Sequence, residues 1–188
     1  MQNNNHILLP SGGYARLKSF QLARLIYDIT VRFVELYIPP ESRTCDQMVQ
    51  AARSGVQNIA EGSVDAATST KIEIKLYNVA RGSLEELNLD YQDYLRQKQA
   101  SQWDKSHFFA REFIQRRVNC ASDFRNFIQW AQENDPSVEK SLLVANGAIL
   151  LINTATYFLR RQIERKSRDF TEQGGFSEQM YRKRKNNR

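Results

Sequence analysis

In the stretch "DQMVQAARSGVQNIAEG", residues 46–62, Met48, Ala52, Gly55, Ile59 and Gly62 recur at alternating four- and three-residue spacing. On a helix they form one stripe, widened by Val49, Val56 and Ala60. Alanine and glycine on an inner face let a neighbouring backbone approach closely, so this segment must pack tightly against another helix. Beside it runs a second stripe, Gln47, Gln50, Ser54, Asn58 and Glu61, almost without charge. Amides and hydroxyls in a row suit a covered surface whose hydrogen bonds must be met; the simpler alternative is a packed helix with neutral amides facing solvent. Arg53, Gln57 and Glu61 stand at i,i+4 spacing, which predicts a local ladder. The expected roles of Gln50, Arg53, Ser54, Asn58, Glu61 and Gly62 are structural, or those of an interface between subunits.

Helical periodicity covers nearly all the rest. A first helix is expected over about residues 14–38, with Leu22, Leu25, Ile26, Ile29, Phe33 and Leu36 on its apolar face, and Pro39 and Pro40 stop it. The helix at 46–62 is expected to start near Ser42 or Thr44 and stop at Gly62. Thr70 and Glu73 have the spacing of a capping box for a third helix reaching Leu95. The pattern lapses over 97–106, and a less regular helical segment follows over 106–130. Asp135 as N-cap, with Pro136 in the first turn and Glu139 near the positive end of the dipole, predicts the start of a last helix. That helix carries Leu142, Leu143, Ile149, Leu150, Tyr157 and Ile163, and Gly174 and Gly175 end it. No segment shows sustained period-two alternation. The expectation is all-α, an antiparallel up-and-down four-helix bundle over 14–170, between a flexible leader at 1–13 and a basic suffix at 171–188.

The chain has 188 residues, enough for one sizeable core, and a net charge of +6. Residues 1–159 hold 17 basic and 17 acidic side chains, whereas residues 160–188 hold 10 basic and 4 acidic, so the whole excess lies at the C-terminal end. A second local excess lies over 96–125, with 7 basic residues against Asp104, Glu112 and Asp123. Such clusters neutralise phosphates and release counterions, although charged helix ends are also common on proteins that bind nothing. Cys45 and Cys120 stand alone in helical patterns and read as small buried hydrophobes in a reducing compartment. The first ten residues lack the features of a signal peptide. The longest apolar run, residues 148–159, is shorter than the ~20 residues of a membrane span. A cytoplasmic protein without a membrane partner is expected.

The stretch "ARSGVQNIAEG", residues 52–62, resembles the Ser-x-x-x-Asn-Ile-Ala-Glu-Gly motif of the four-helix-bundle proteins related to those encoded in bacterial 23S rRNA intervening sequences. That family, often labelled S23 ribosomal protein, includes the accessory variability determinant of diversity-generating retroelements. "EQGGFSEQMYRKRK", residues 172–185, is similar to the extension of a suffix-bearing branch, and "FQLARLIYDIT" and "NVARGSLEELNLDY" also fit. The resemblance implies a ring-like homopentamer and, in the retroelement branch, a basic surface binding RNA or DNA and a partner reverse transcriptase. Val56 stands where many relatives have proline, which predicts a straighter helix at that turn.

Catalytic chemistry finds little material. His6 and His107 are isolated, no glycine-rich phosphate loop is present, and Glu86, Asp90 and Asp93 share a helical face without a histidine partner. A solvated acidic face is the simpler reading of those three, and neither an enzyme nor a cofactor is expected. One hypothesis is a homo-oligomeric, sequence-nonspecific nucleic-acid-binding accessory protein using Arg116, Arg117, Arg160, Arg161, Arg165, Lys166, Arg168, Arg182, Lys183, Arg184 and Lys185. The other is a structural or adaptor module whose partner is a protein. In the nucleic-acid hypothesis, Tyr181 is expected to anchor the suffix on a neighbouring subunit, the alternative being to stack on an unpaired base.

Overall fold

The computed structural model describes residues 12–174 together with Glu178, Tyr181 and Lys185. The leader up to residue 11, His6 included, and Gly175, Arg182, Lys183 and Arg184 lie outside the described residues. Six α-helices and no strand are found among the described residues: α1 Lys18–Tyr37, α2 Arg43–Asp65, α3 Thr70–Gln97, α4 Phe108–Gln115, α5 Ala121–Asn134 and α6 Lys140–Gln173. The protein is all-α.

The core sits among the four long helices. α1 packs on α2 and α6, and α3 packs on the same two, with the α2–α3 contact the most extensive. The small-residue stripe explains that closeness. Met48, Ala52, Gly55, Ile59 and Gly62 are all buried. A Cβ added at Gly55 would stand 2.9 Å from Cδ2 of Leu84, and one at Gly62 would stand 3.0 Å from the Tyr77 ring, so both glycines sit where α3 approaches closely. α2 runs through Val56 without a break.

Several boundaries differ from the sequence expectation. α1 begins at Lys18, behind a 3-10 turn at Tyr14–Arg16. α2 is capped by Ser42, whose hydroxyl accepts from Thr44 N–H, and continues three residues past Gly62, because a glycine in a packed helix need not stop it. The cap of α3 is Ser69, which accepts from Ile72 N–H at 3.2 Å; Thr70 is already helical, and Glu73 turns inward instead of closing a capping box. The segment after residue 106 is two helices. Arg117 takes φ 52 between them, and Asn119 Nδ2 donates to its carbonyl at 2.7 Å. Asp135 ends α5 instead of starting α6: its carboxylate accepts from Ser137 N–H at 3.2 Å, forming a local turn, and Glu139 flanks the true start. Gly174 ends α6 with φ 76, as expected of a left-handed C-terminal glycine.

α4 and α5 cover one end of α6 and build an aromatic cluster. Trp103 stacks on His107 with centroids 5.2 Å apart, and Phe113 meets Phe127 edge to face at 4.9 Å. Asn146 of α6 holds the connecting loop, its Oδ1 accepting from Trp103 N–H at 2.8 Å. Between α1 and α5 an apolar groove of about 700 Å³ remains, lined by Ile29, Phe33, Leu36, Phe124 and Ile128.

α6 is also long and apolar enough to cross a membrane: an 18-residue window within residues 140–172 has a mean hydropathy of 1.7, which the shorter run at 148–159 did not suggest. Of that window 61% is buried within the protein, the placement of a core helix. Both cysteines are free, Cys45 half-buried and Cys120 exposed, so only the former approaches the expected burial.

Candidate nucleic-acid interface

The basic residues of α6 divide by direction. A packed helix exposes the strip its neighbours leave uncovered, and Arg160, Arg161, Arg165 and Arg168 all lie exposed on it. Among the described residues Arg161, Arg165 and Arg168 make no ion pair, although Arg161 donates to Tyr157 Oη at 3.5 Å. Arg160 reaches Glu164 at 3.8 Å, both well exposed, an arrangement worth ~0.3–0.5 kcal/mol at most.

Lys166 is different. Its ammonium lies 3.0 Å from Oε1 of buried Glu73, which also accepts from Tyr77 Oη at 2.9 Å. Burial, then the Glu73 charge, pushes the Tyr77 phenol well above its ordinary range. A lysine that neutralises a buried carboxylate belongs to the structure before it belongs to a phosphate.

Arg116 and Arg117 stand at the α4–α5 turn, away from this strip in sequence. The Arg116 guanidinium lies 4.0 Å from the Trp130 ring centroid, and its Nε donates to Glu112 at 3.4 Å. It ties α4 to α5 through a cation–π contact. Arg117 is exposed. In the suffix, Lys185 is helical and exposed, and Tyr181 is exposed.

Sequence reasoning missed two aromatics. The spacing placed Tyr157 in the core, yet it is 47% exposed, with Phe158 beside it at 5.7 Å. The signal was present in "TYFLRR", where Tyr157 stands one turn before Arg161, whose charge must face out, while Leu159 is buried.

Within the α2 amide stripe, Ser54 and Asn58 find partners in the chain. Ser54 and Ser83 share a hydroxyl hydrogen bond at 2.9 Å across α2 and α3, and Asn58 Nδ2 donates to the Ser54 carbonyl at 2.9 Å. Arg53, Gln57 and Glu61 are exposed and form no ladder with one another. Gly62 is buried within this chain. Gln50 and Ser54 border a groove with Asp46, Glu86 and Asp90; burial, then Asp93 and Glu86, raise the Asp90 pKa. Among the described residues no group of His, Cys, Asp and Glu could hold a metal ion.

Comparison of the chain with protein-family models, curated proteins and solved structures finds no match.

Proposed function

We propose that this chain is a non-catalytic, homo-oligomeric accessory protein that binds RNA or DNA without sequence preference. The observation that carries the reading is the strip on α6, where Arg161, Arg165 and Arg168 project without acidic partners among the described residues, just beyond exposed Tyr157 and Phe158. Guanidinium groups held on a rigid helix are suited to phosphate contacts, and adjacent aromatic faces are suited to bases. The reading takes the four long helices as one antiparallel up-and-down bundle, which the short α1–α2 and α2–α3 connections favour.

Self-association would repeat the strip around a ring and multiply a weak site. Apolar side chains on the outside of the α2–α3 pair favour it: Val64, Ile72, Val79 and Leu89 are exposed, Leu89 by 61%. The homopentamer and a reverse transcriptase partner follow from the resemblance at residues 52–62 and 172–185. Electrophoretic mobility shift with a structured RNA tests the reading, the expected result being salt-sensitive binding weakened by removal of the residues after 176. A protein-binding adaptor is the second reading, favoured by the apolar groove between α1 and α5. It predicts no mobility shift with any RNA or DNA.

A further inference from the structure

Between α3 and α6 lies a polar groove of about 480 Å³, walled by Asn78, Arg81 and Glu85 on one side and Asn153, Tyr157 and Arg160 on the other. The volume falls among the ~300–1,000 Å³ clefts that hold small organic groups. Gly82 also lines it, and a Cβ there would meet nothing within 4 Å, so the wall is open at that point. Arg81 has no ion pair among the described residues, and Arg160 has only the loose 3.8 Å contact to Glu164. The Tyr157 ring is open to solvent, with the Arg160 guanidinium 6.0 Å from its centroid.

Asn153 supplies a further polar group. Its Oδ1 accepts from Nδ2 of buried Asn88 over a long 3.5 Å, and its own amide donors make no hydrogen bond among the described residues. Asn88 Oδ1, directly behind it, is buried without a partner. Two guanidinium groups, an aromatic face and free amide donors match the phosphate, the base face and the base edge of a nucleotide. Glu85, the acidic side chain in the wall among the described residues, is an acceptor for a base amino group or a ribose hydroxyl.

We propose that this groove binds one nucleotide of a single-stranded nucleic acid, its base stacked on Tyr157 and its phosphate held by Arg81 and Arg160. A duplex cannot use the ring, because its base faces are already covered by stacking. The assignment rests on the nucleic-acid reading above and names the strand form that reading leaves open.

Fluorescence anisotropy with a labelled oligouridylate and a labelled RNA duplex of equal length, at one low salt concentration, tests it. Tyr157→Ala should weaken oligouridylate binding about 5- to 150-fold and leave duplex binding within about twofold, while Tyr157→Phe, which keeps the ring, stays near wild type. Arg81→Ala should also weaken the single strand. Far-UV circular dichroism melts of the variants should match wild type, since Tyr157 and Arg81 are exposed. An unchanged Tyr157→Ala affinity, equal losses on both probes, or a Tyr157→Phe loss as large as that of alanine would overturn the groove assignment alone. Wild-type protein binding neither probe would overturn the nucleic-acid reading with it.

Discussion

Lys166 Nζ on α6 lies 3.0 Å from Glu73 Oε1 on α3, and Glu73 is only 2% exposed. The pair joins the start of α3 to the far part of α6. With Tyr77 Oη also bound to that carboxylate, it forms one small buried network. Lys166→Met leaves the carboxylate buried without its counter-charge and should destabilise the fold by about 3 kcal/mol. The double variant Glu73→Met/Lys166→Met should lose less than Lys166→Met alone. Urea denaturation of both, with equal m-values, checks the order, and a double variant less stable than the single one would contradict it.

Alkaline stability follows from buried phenols. Burial first, with carboxylate charge adding to it, raises the pKa of both Tyr77 and Tyr91 in the folded protein, while the unfolded chain titrates near the ordinary value of 10.0. Below that pH neither state ionises these groups, so their contribution is fully present. Above it only the unfolded state gains from losing the protons, and stability falls by about 1.4 kcal/mol per pH unit for each tyrosine. Tyr91→Phe should make the decline of stability above pH 10 shallower by that amount. Denaturation midpoints across the alkaline range measure it, and an identical slope in the variant would refute the assignment.

Glycines at two positions of adjacent helices predict opposite signs. Gly62→Ala presses a methyl to 3.0 Å from the Tyr77 ring, which the bond to Glu73 holds in place. It should cost about 1–3 kcal/mol despite alanine's better helix propensity. Gly82→Ala enters open space and should stabilise by about 0.5–1 kcal/mol. Thermal melts of the two variants should therefore move in opposite directions.

The exposed apolar outside of α3 predicts association. Val79→Asp/Leu89→Asp should lower the mass measured by light scattering from an oligomer to a monomer without unfolding the chain, since both residues are exposed. A monomeric wild-type protein would remove the physical basis of the ring.

The residues that were legible in the sequence are those whose role depends on periodicity alone. The α2 stripe from Met48 to Gly62 and the apolar face of α1 at Leu22, Ile26 and Phe33 are buried as their spacing predicts. Caps were less legible, because Ser69 and Thr70 offer the same chemistry one residue apart, and only the backbone decides between them. Asp135 suits an N-cap and a turn equally, and it closes α5. The candidate site divides in the same way. Local spacing is enough to align Arg161, Arg165 and Arg168, whereas the partner of Lys166 lies 93 residues away on another helix and has no local signature. Tyr157 was misplaced because an aromatic at helical spacing reads as core until the neighbouring helices fix which side is covered.

Contact between the α6 strip and phosphates makes binding depend on salt. For a single-stranded RNA, log K plotted against log salt should be a straight line with a negative slope. Replacing Arg161, Arg165 and Arg168 together by alanine should make that slope shallower by about 2, the share of three phosphate contacts at ~0.7 each. A wild-type protein that binds no RNA at low salt, or a triple variant with an unchanged slope, would contradict the claim.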